Sequence, residues 1–326
     1  MLYFLIAASV IFDFLNGFHD SSNIVATVIS SRAMKPRTAL IMTAIAEFTA
    51  PFIFGVAVAK TVGSELIEPH AITITVVLAA VLAAILWNLI TWLIGMPSSS
   101  SHALLGGLLG AAVLASGFGA VKMEGLIKIL LALLLSPPLG FIVAFLLMKL
   151  ILFLSRGATP KINEYFRRSQ VLTSLSLAFS HGSNDAQKTM GIITMGLIAG
   201  GWQDSFHVPT WVILLSASGI ALGTAFGGWR LIRTLGGRIY KIRPVDAFTS
   251  QLASTGVILG ASLLGGPVST TQVVGSSIMG AGAADRPNKV RWHIGKEMLL
   301  TWVLTIPCSA SVAALIYWPL SLIFSP

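Results

Sequence analysis

MPSSSSHALLGG, residues 96–107, is matched 170 positions later by GPVSTTQVVGSS, residues 266–277. Each stretch places a proline and a run of small hydroxyl or β-branched residues directly after a long apolar segment. The same offset relates Pro137 to Pro307. Matches along the length of a chain indicate an internal duplication, which is typical of secondary transporters.

The composition is that of an integral membrane protein. Hydrophobic residues make up 55% of the 326 positions and charged residues only 10%, whereas soluble domains carry about 25% charged residues. The apolar stretches have the length of membrane helices, and the short alternating segments of a membrane β-barrel are absent. The net charge of +9 fits basic cytoplasmic loops better than a nucleic-acid partner, so we expect contact with a lipid bilayer and no nucleic acid.

Ten apolar elements recur along the chain, five in each half. Because five is an odd number of crossings, the second half is expected to be inverted relative to the first. We therefore predict an all-α membrane protein with a first repeat over 1–154, a cytoplasmic connecting loop over 155–168 and a second, inverted repeat over 169–326. The elements cover residues 1–30, 38–59, 71–95, 97–119 and 125–153, then 169–200, 209–232, 246–265, 267–284 and 292–322.

Loop charges predict the orientation in the membrane. If each element crosses once, one side receives most of the Lys and Arg residues, and the other receives Lys60, Lys122 and Lys128 among acidic residues. By the positive-inside rule the first side is cytoplasmic and both termini face outside. The basic residues on the predicted cytoplasmic side are Arg32, Lys35, Arg37, Arg156, Lys161, Arg167, Arg168, Arg230, Arg233, Arg238, Lys241, Arg243, Arg286, Lys289, Arg291 and Lys296.

Breaks in the apolar pattern point to a site. The elements that begin at Pro97 and Pro267 follow glycine-containing breaks, and the pattern fits either full spans or re-entrant hairpins. Glycines beside the polar clusters GFHDSSN (17–23) and GSNDAQK (182–188) also predict interrupted helices, which would free backbone carbonyls for a cation. Non-helical backbone at membrane depth is tolerated only beside protein or a watery cavity.

The two Pro-initiated elements predict an anion site. Proline suits the first turn of a helix, since its missing N–H would have no partner there. A helix N-terminus offers free N–H donors and about half a positive charge. Plain N-capping with close packing of small residues is the alternative, but two copies at matching places favour the anion site. Its candidate residues are Ser99, Ser100, Ser101, Ser269, Thr270 and Thr271.

Asp20 and Asp185 predict a cation site, because they occupy corresponding positions in the two halves. A charged residue at the bilayer centre costs about 2.5–3.5 kcal/mol on insertion scales, so such residues mark ion pathways. Asn23 and Asn184 would add oxygen ligands. The alternative is a structural ion pair of either aspartate with Lys188. If the cation is Na⁺, Asp20 and Asp185 are its predicted ligands.

Two further intramembrane residues are candidates for coupling. His19 is either a proton carrier or a hydrogen-bonded packing residue, and the sequence leaves both open. Glu47 lies in the middle of the second element, where a carboxylate is costly unless it has a role.

Catalysis is not indicated. Neither a G-x-S-x-G elbow nor an H-E-x-x-H motif occurs, and the polar residues come in matched pairs that one nucleophile–base set does not explain. Cys308 is the one cysteine, which excludes a disulfide framework or a cysteine metal site within the chain. We expect no enzyme activity and no cofactor other than a coupling ion.

At these residues the chain resembles the inorganic phosphate transporter (PiT) family. Each half of that family carries an Asn-Asp-x-x-Asn-type cluster and, later, Pro-x-Ser-Thr-Thr followed by His. Here the clusters read HDSSN (19–23) and NDAQK (184–188), and the later motifs read PSSSSH (97–102) and PVSTTQ (267–272). The C-terminal segments KVRW and W-x-x-T-x-P, within 289–307, are also similar.

The resemblance implies a homodimeric, inverted-repeat symporter in the plasma membrane of a bacterium or archaeon. Such proteins import inorganic phosphate with Na⁺ or H⁺, in some members as a metal–phosphate complex. His19 stands where Asn is common, Lys188 where Asn is usual and Gln272 where His is usual. This pattern is similar to the proton-coupled bacterial branch. Lys188 is then expected to pair with Asp185 or to contact phosphate.

With these residues, the resemblance implies that phosphate binds near the midplane between the two Pro-initiated elements. Two carboxylates beside a dianion repel strongly at low dielectric, so the site should fill only when cations or protons neutralise it. Sulfate or another oxyanion is an alternative substrate, and a passive anion channel is an alternative class of protein.

Overall fold

The computed structural model describes residues 1–324. Over this range the chain forms helices joined by short turns and no strand, so the prediction of an all-α fold is confirmed. The α-helices are α1 (Leu2–Ser30), α2 (Pro36–Phe54), α3 (Ala57–Ser64), α4 (Ile74–Ile94), α5 (Ser100–Ser116), α6 (Met123–Leu154), α7 (Ile162–Ala199), α8 (Thr210–Phe226), α9 (Trp229–Arg233), α10 (Pro244–Leu263), α11 (Thr270–Asp285) and α12 (Trp292–Ile323).

Several helices have the length and composition of membrane spans. In the described range these are α1, α2, α4, α6 and α12. The pair of α8 with Trp229–Arg238 is bent by 58° and fits a broken span or a re-entrant loop. The helices α5 and α11 have 17 and 16 residues. At 1.5 Å per residue they extend about 25 Å, which is short of the ~30 Å hydrocarbon core. Neither can cross that core by its helical part alone.

Two helical hairpins meet at their tips. Antiparallel α4 and α5 turn at residues 95–99, and backbone pairing of Ile67 with Val121 closes their base. Antiparallel α10 and α11 turn at residues 264–269, and an Arg243–Asp285 ion pair of 2.9 Å closes theirs. At the tips, the hydroxyl of Ser101 donates to the carbonyl oxygen of Val268 over 3.0 Å.

The hairpins enter the molecule from opposite ends of α1. At the start of α1, Leu5 packs beside Gly196 near the end of α7, and the neighbouring Gly200 lies beside Ile74 at the base of the α4–α5 hairpin. At the end of α1, the Ser31 hydroxyl donates to Gln170 over 2.5 Å. Gln170 in turn donates to the carbonyl of Pro244 at the base of the α10–α11 hairpin, over 3.1 Å. The tips therefore meet in the middle of the molecule.

The predicted interruptions at the two polar clusters are wrong, because α1 and α7 continue through them without a break. Hydroxyl groups in the clusters donate to carbonyls three residues earlier: Ser22 to His19 over 3.1 Å and Ser183 to Ser180 over 2.8 Å. These two hydroxyl groups are thus satisfied on their own helices, and no proline disrupts either cluster.

The breaks lie instead in the helices that pack against these clusters. The element predicted over 38–59 breaks after α2, at Gly55 (φ 77°), and α8 ends at Gly227 (φ 73°). Glycine adopts this left-handed region at little cost. The amide freed at each break receives an acceptor from a cluster helix: Gln187 Oε1 accepts from Val58 N over 2.8 Å. Likewise Ser21 Oγ accepts from Gly228 N over 2.9 Å.

Close packing of α1 on α8 supplies a stability prediction. A Cβ on Gly223 would overlap the backbone carbonyl of Phe14, whereas a Cβ on Gly256 in α10 meets nothing within 4 Å. Because overpacking costs about 1–3 kcal/mol, Gly223→Ala should lower the thermal unfolding midpoint in detergent. The control Gly256→Ala should leave it unchanged or raise it, and equal midpoints for the two variants would contradict the α1–α8 packing.

Candidate functional site

Asp20 on α1 and Asp185 on α7 come together at the tip of the α10–α11 hairpin, and both are fully buried. Thr270 Oγ1 lies 2.8 Å from Asp185 Oδ2 and 3.4 Å from Asp20 Oδ2. Thr271 Oγ1 donates to Asp20 Oδ1 over 2.9 Å and accepts from Asn23 Nδ2 over 3.0 Å. The first turn of α11 therefore joins the two aspartates that the sequence pairs across its halves.

His181 is the residue of this cluster that the sequence analysis missed. Its Nε2 lies 2.8 Å from Asp185 Oδ2 and 3.6 Å from Asp20 Oδ2, and its Nδ1 lies 2.7 Å from Glu47 Oε1. One buried imidazole thus touches three buried carboxylates. The spacing held a signal, because residues four apart on a helix share a face. The next residue, Gly182, lacks the Cβ that would crowd the backbone of Glu47 on α2.

Lys188 links the carboxylates to both hairpin tips. Its ammonium forms an ion pair with Asp185. It also donates to Ser101 Oγ over 2.6 Å and to the carbonyl oxygen of Val268 over 2.9 Å. These contacts use all three protons of the ammonium group. The expected pairing of Lys188 with Asp185 is present, and contact with the α5 tip is present as well.

The remaining hydroxyl residues divide into two kinds. Ser99 and Ser269 are N-caps: Ser99 Oγ accepts from His102 N over 3.1 Å, and Ser269 Oγ accepts from Gln272 N over 3.4 Å. Ser100 is buried in the first turn of α5. N-capping therefore accounts for one residue of each motif, whereas Ser101, Thr270 and Thr271 face the charged cluster.

Asn184 and His19, two of the predicted cation residues, lie at the edge of the cluster. Asn184 Nδ2 donates to Ser262 Oγ over 2.9 Å and to the carbonyl of Gly266 over 3.2 Å, so this amide holds the α10–α11 tip. His19 Nδ1 lies 3.2 Å from Asp20 Oδ1. Thus His19 touches the cluster at Asp20, while Asn184 binds the hairpin beside it.

The donor set suits a cation. Asp20, His181 and Asp185 offer ligand atoms that all lie within 4.8 Å of one another. Carboxylate and hydroxyl oxygens are the ligands that hard cations prefer. The Oδ1 atom of Asn23 is buried and has no hydrogen-bond partner among the described residues. Buried acceptors are rarely left unpaired, so a cation beside Asn23 and Asp20 would satisfy it.

Known proteins resemble this chain over nearly its whole length. The sequence profile described as "Phosphate transporter family" matches residues 16–159 and 155–313. The chain belongs to this family. A Bacillus subtilis protein named "Probable low-affinity inorganic phosphate transporter" is 45% identical over 324 residues, covering 98% of this chain and 97% of its own. A Rhizobium meliloti protein of the same name is 42% identical and covers 99% and 97%.

A solved structure has the same fold. The protein described as "The sodium-dependent phosphate transporter" matches with a TM-score of 0.89 and 26% identity, over 99% of both chains. These relatives are named as transporters, and this member of the phosphate transporter family is not an enzyme. Its apolar helices make it a multi-pass membrane protein.

His181 supplies a test of the cluster. Removing one partner from a buried charge pair costs about 3–5 kcal/mol, because the other charge is left uncompensated. His181→Leu should therefore lower the thermal unfolding midpoint of the detergent-solubilised protein sharply. The double variant His181→Leu/Glu47→Leu should recover part of the loss, since it also removes one of the stranded carboxylates. Additive losses in the double-mutant cycle would mean that the two side chains do not interact.

Proposed function

We propose that this chain imports inorganic phosphate together with a coupling cation, Na⁺ or H⁺, by alternating access. One observation carries the proposal: two hairpin tips from opposite ends of the molecule meet at a buried cluster of carboxylates, a lysine and hydroxyl groups. Such broken elements at the midplane are where transporters bind their substrate and coupling ion. The family of the chain and the names of its relatives support phosphate as the substrate.

Phosphate would bind between the first turns of α5 and α11. Lys188 offers a cationic donor, and Ser101 offers a hydroxyl group that contacts it. Thr270 and Thr271 offer hydroxyl groups that now donate to Asp185 and Asp20. Both helices direct their free N–H groups and the positive ends of their dipoles toward the meeting point. Ser99, Ser100 and Ser269 would shape these turns and contribute backbone donors.

The coupling cation would bind at the carboxylates next to this anion site. Asp20, Asp185 and Glu47 carry three potential negative charges, against which Lys188 supplies one positive charge and His181, when protonated, a second. At low dielectric, adding phosphate to such a cluster is unfavourable unless cations or protons arrive with it. Asn23 supports a Na⁺ site through its unpaired oxygen. Asn184, which holds the α10–α11 tip, would couple cation binding to the position of that tip. His19 would serve proton coupling.

The two halves, 1–154 and 169–326 around the loop 155–168, would be inverted repeats that rock about this site. The opposite directions of the hairpins and the matching glycine breaks after α2 and α8 support this. The contacts of Ser31 with Gln170 and of Gln170 with Pro244 bring basic loops to one end. That end would be cytoplasmic, with both termini outside the plasma membrane. The family resemblance adds a homodimer and, for some members, a metal–phosphate substrate.

One experiment identifies the coupling ion. Purified protein in liposomes should accumulate labelled phosphate under one of two gradients imposed alone. The first is an inward Na⁺ gradient, and the second is an inward H⁺ gradient, with the outside more acid than the inside. Uptake should end when that gradient is dissipated, since a symporter needs a driving ion and a passive channel does not concentrate phosphate. Accumulation with neither gradient would contradict symport.

Competition by sulfate distinguishes a phosphate carrier from a sulfate permease. If the chain is a phosphate carrier, a large excess of sulfate should leave the uptake of labelled phosphate nearly unchanged. Strong inhibition by sulfate, with saturable uptake of labelled sulfate, would favour the sulfate or other oxyanion permease instead.

Asp185→Asn tests the cation site directly. At low dielectric a neutral amide attracts a cation much less than a carboxylate does, so the coupling ion should bind roughly 10- to 100-fold more weakly. Cation-dependent phosphate uptake should fall accordingly. Asp204→Asn, which changes an exposed loop carboxylate, is the matched control and should transport normally. Normal uptake by Asp185→Asn would remove this residue from the coupling site.

A further inference from the structure

A wide vestibule opens at the end of the molecule where the α4–α5 hairpin has its base. Its volume is about 570 Å³. Lys122, Lys128 and three carboxylates give it charges of both signs, which suits an anion that travels with a cation. Its polar and charged lining residues are Ser64, Glu65, Glu68, Lys122, Glu124 and Lys128.

A second, much smaller cavity lies beside the cluster. It measures about 20 Å³, and Lys188, Ser101 and Pro267 form its polar and hairpin-tip sides. A void of this size holds about one water molecule, so phosphate does not fit without movement. The rest of its lining is an apolar layer, here called the seal: Val62, Leu66, Leu104, Leu105, Leu108, Ile129 and Leu133. Every seal side chain is buried.

The vestibule and the seal adjoin along the same two segments, and Lys188 on α7 lines the small cavity together with the seal. On the α3 side, Glu65 lines the vestibule and its neighbour Leu66 belongs to the seal. On α6, Lys128 lines the vestibule, while Ile129 and Leu133, one turn apart on one face, belong to the seal. The seal therefore separates the charged mouth from Lys188.

We infer that phosphate reaches Lys188 and Ser101 from this vestibule, through the seam between α3 and α6, and that the seal closes this route in the present conformation. The inference rests on the proposed function, since it takes Lys188 and Ser101 as phosphate donors. Apolar constrictions stop ions because they exclude water. Opening the route requires α6 to move away from α3 and the segment that follows it.

Several polar contacts cross the seam. Lys128 Nζ forms an ion pair with Glu65 Oε2 over 2.7 Å. Lys122 Nζ donates to the carbonyl of Ser64 over 2.9 Å, and Lys122 N donates to the carbonyl of Leu66 over 2.9 Å. The ion pair is partly exposed, with 45% of the Lys128 side chain accessible, and exposed pairs contribute little to stability. The ion pair therefore adds little to the closure, and burial of the apolar seal side chains supplies most of it.

Single-cysteine labelling tests the route, because Cys308 is the one native cysteine. In a Cys308→Ala background, Leu133→Cys places a thiol in the seal. Leu134→Cys is the matched control, since Leu134 is the next residue of α6 and 64% exposed on its outer, apolar face. Glu68→Cys marks the vestibule. The probe is the anionic reagent sulfonatoethyl methanethiosulfonate, applied to unsealed membranes so that both faces are accessible.

Glu68→Cys, in the open vestibule, should react faster than the cysteines on α6. Leu133→Cys should react about tenfold faster than Leu134→Cys, because the conformational cycle opens the seal to water, and only a hydrated thiol ionises and attacks the reagent. Inorganic phosphate with Na⁺ should change the Leu133→Cys rate and leave the Leu134→Cys rate unchanged. Ile129→Cys, paired with the outward-facing Ile127→Cys, repeats the comparison one turn away and covers a Leu133→Cys variant that fails to fold.

Equal labelling rates within both pairs, while the native chain accumulates phosphate in liposomes, would overturn the access route and leave the proposed function intact. If the native chain fails to accumulate phosphate under any gradient, the proposed function falls instead. The two failures are thus read from different measurements.

Discussion

Burial of three carboxylates in one place is the constraint on which the rest of the structure depends. An unpaired charge in a low-dielectric interior is prohibitively costly, so Asp20, Asp185 and Glu47 need partners from several helices at once. His181 and Lys188 on α7 supply two of these, and Thr270 at the tip of α11 supplies a third. Four separate elements are therefore drawn to one point at mid-height of the molecule.

This convergence explains why backbone breaks and charges lie on different helices. The helices that carry the charges, α1 and α7, stay regular, which keeps their side chains in register. The elements packed around them are the ones that stop, at Gly55, at Gly227 and at the two hairpin tips. Rigid helices thus present the charges, while interrupted elements present backbone groups and can move.

Much of this could be predicted from the sequence, because the relevant signals are local. The long apolar stretches predict the helices. The motif at Pro267 predicts Thr270 and Thr271, which meet Asp20 and Asp185, and the motif at Pro97 predicts Ser101, which meets Lys188. The predicted breaks in α1 and α7 were wrong, because a glycine in a polar cluster is also typical of an interrupted helix. In the structure the hydroxyl groups there donate to carbonyls of their own helix. His181 was missed because its three carboxylate partners lie on three different helices, and single-chain spacing shows only the nearest one.

The caps on the broken helices have a consequence for how the chain can be divided. Gln187, from the C-terminal half, satisfies the first amides of α3 in the N-terminal half, and Ser21, from the N-terminal half, satisfies Gly228 at the start of α9. Each half therefore completes the backbone of the other. A half expressed by itself would therefore leave one helix start without its acceptor.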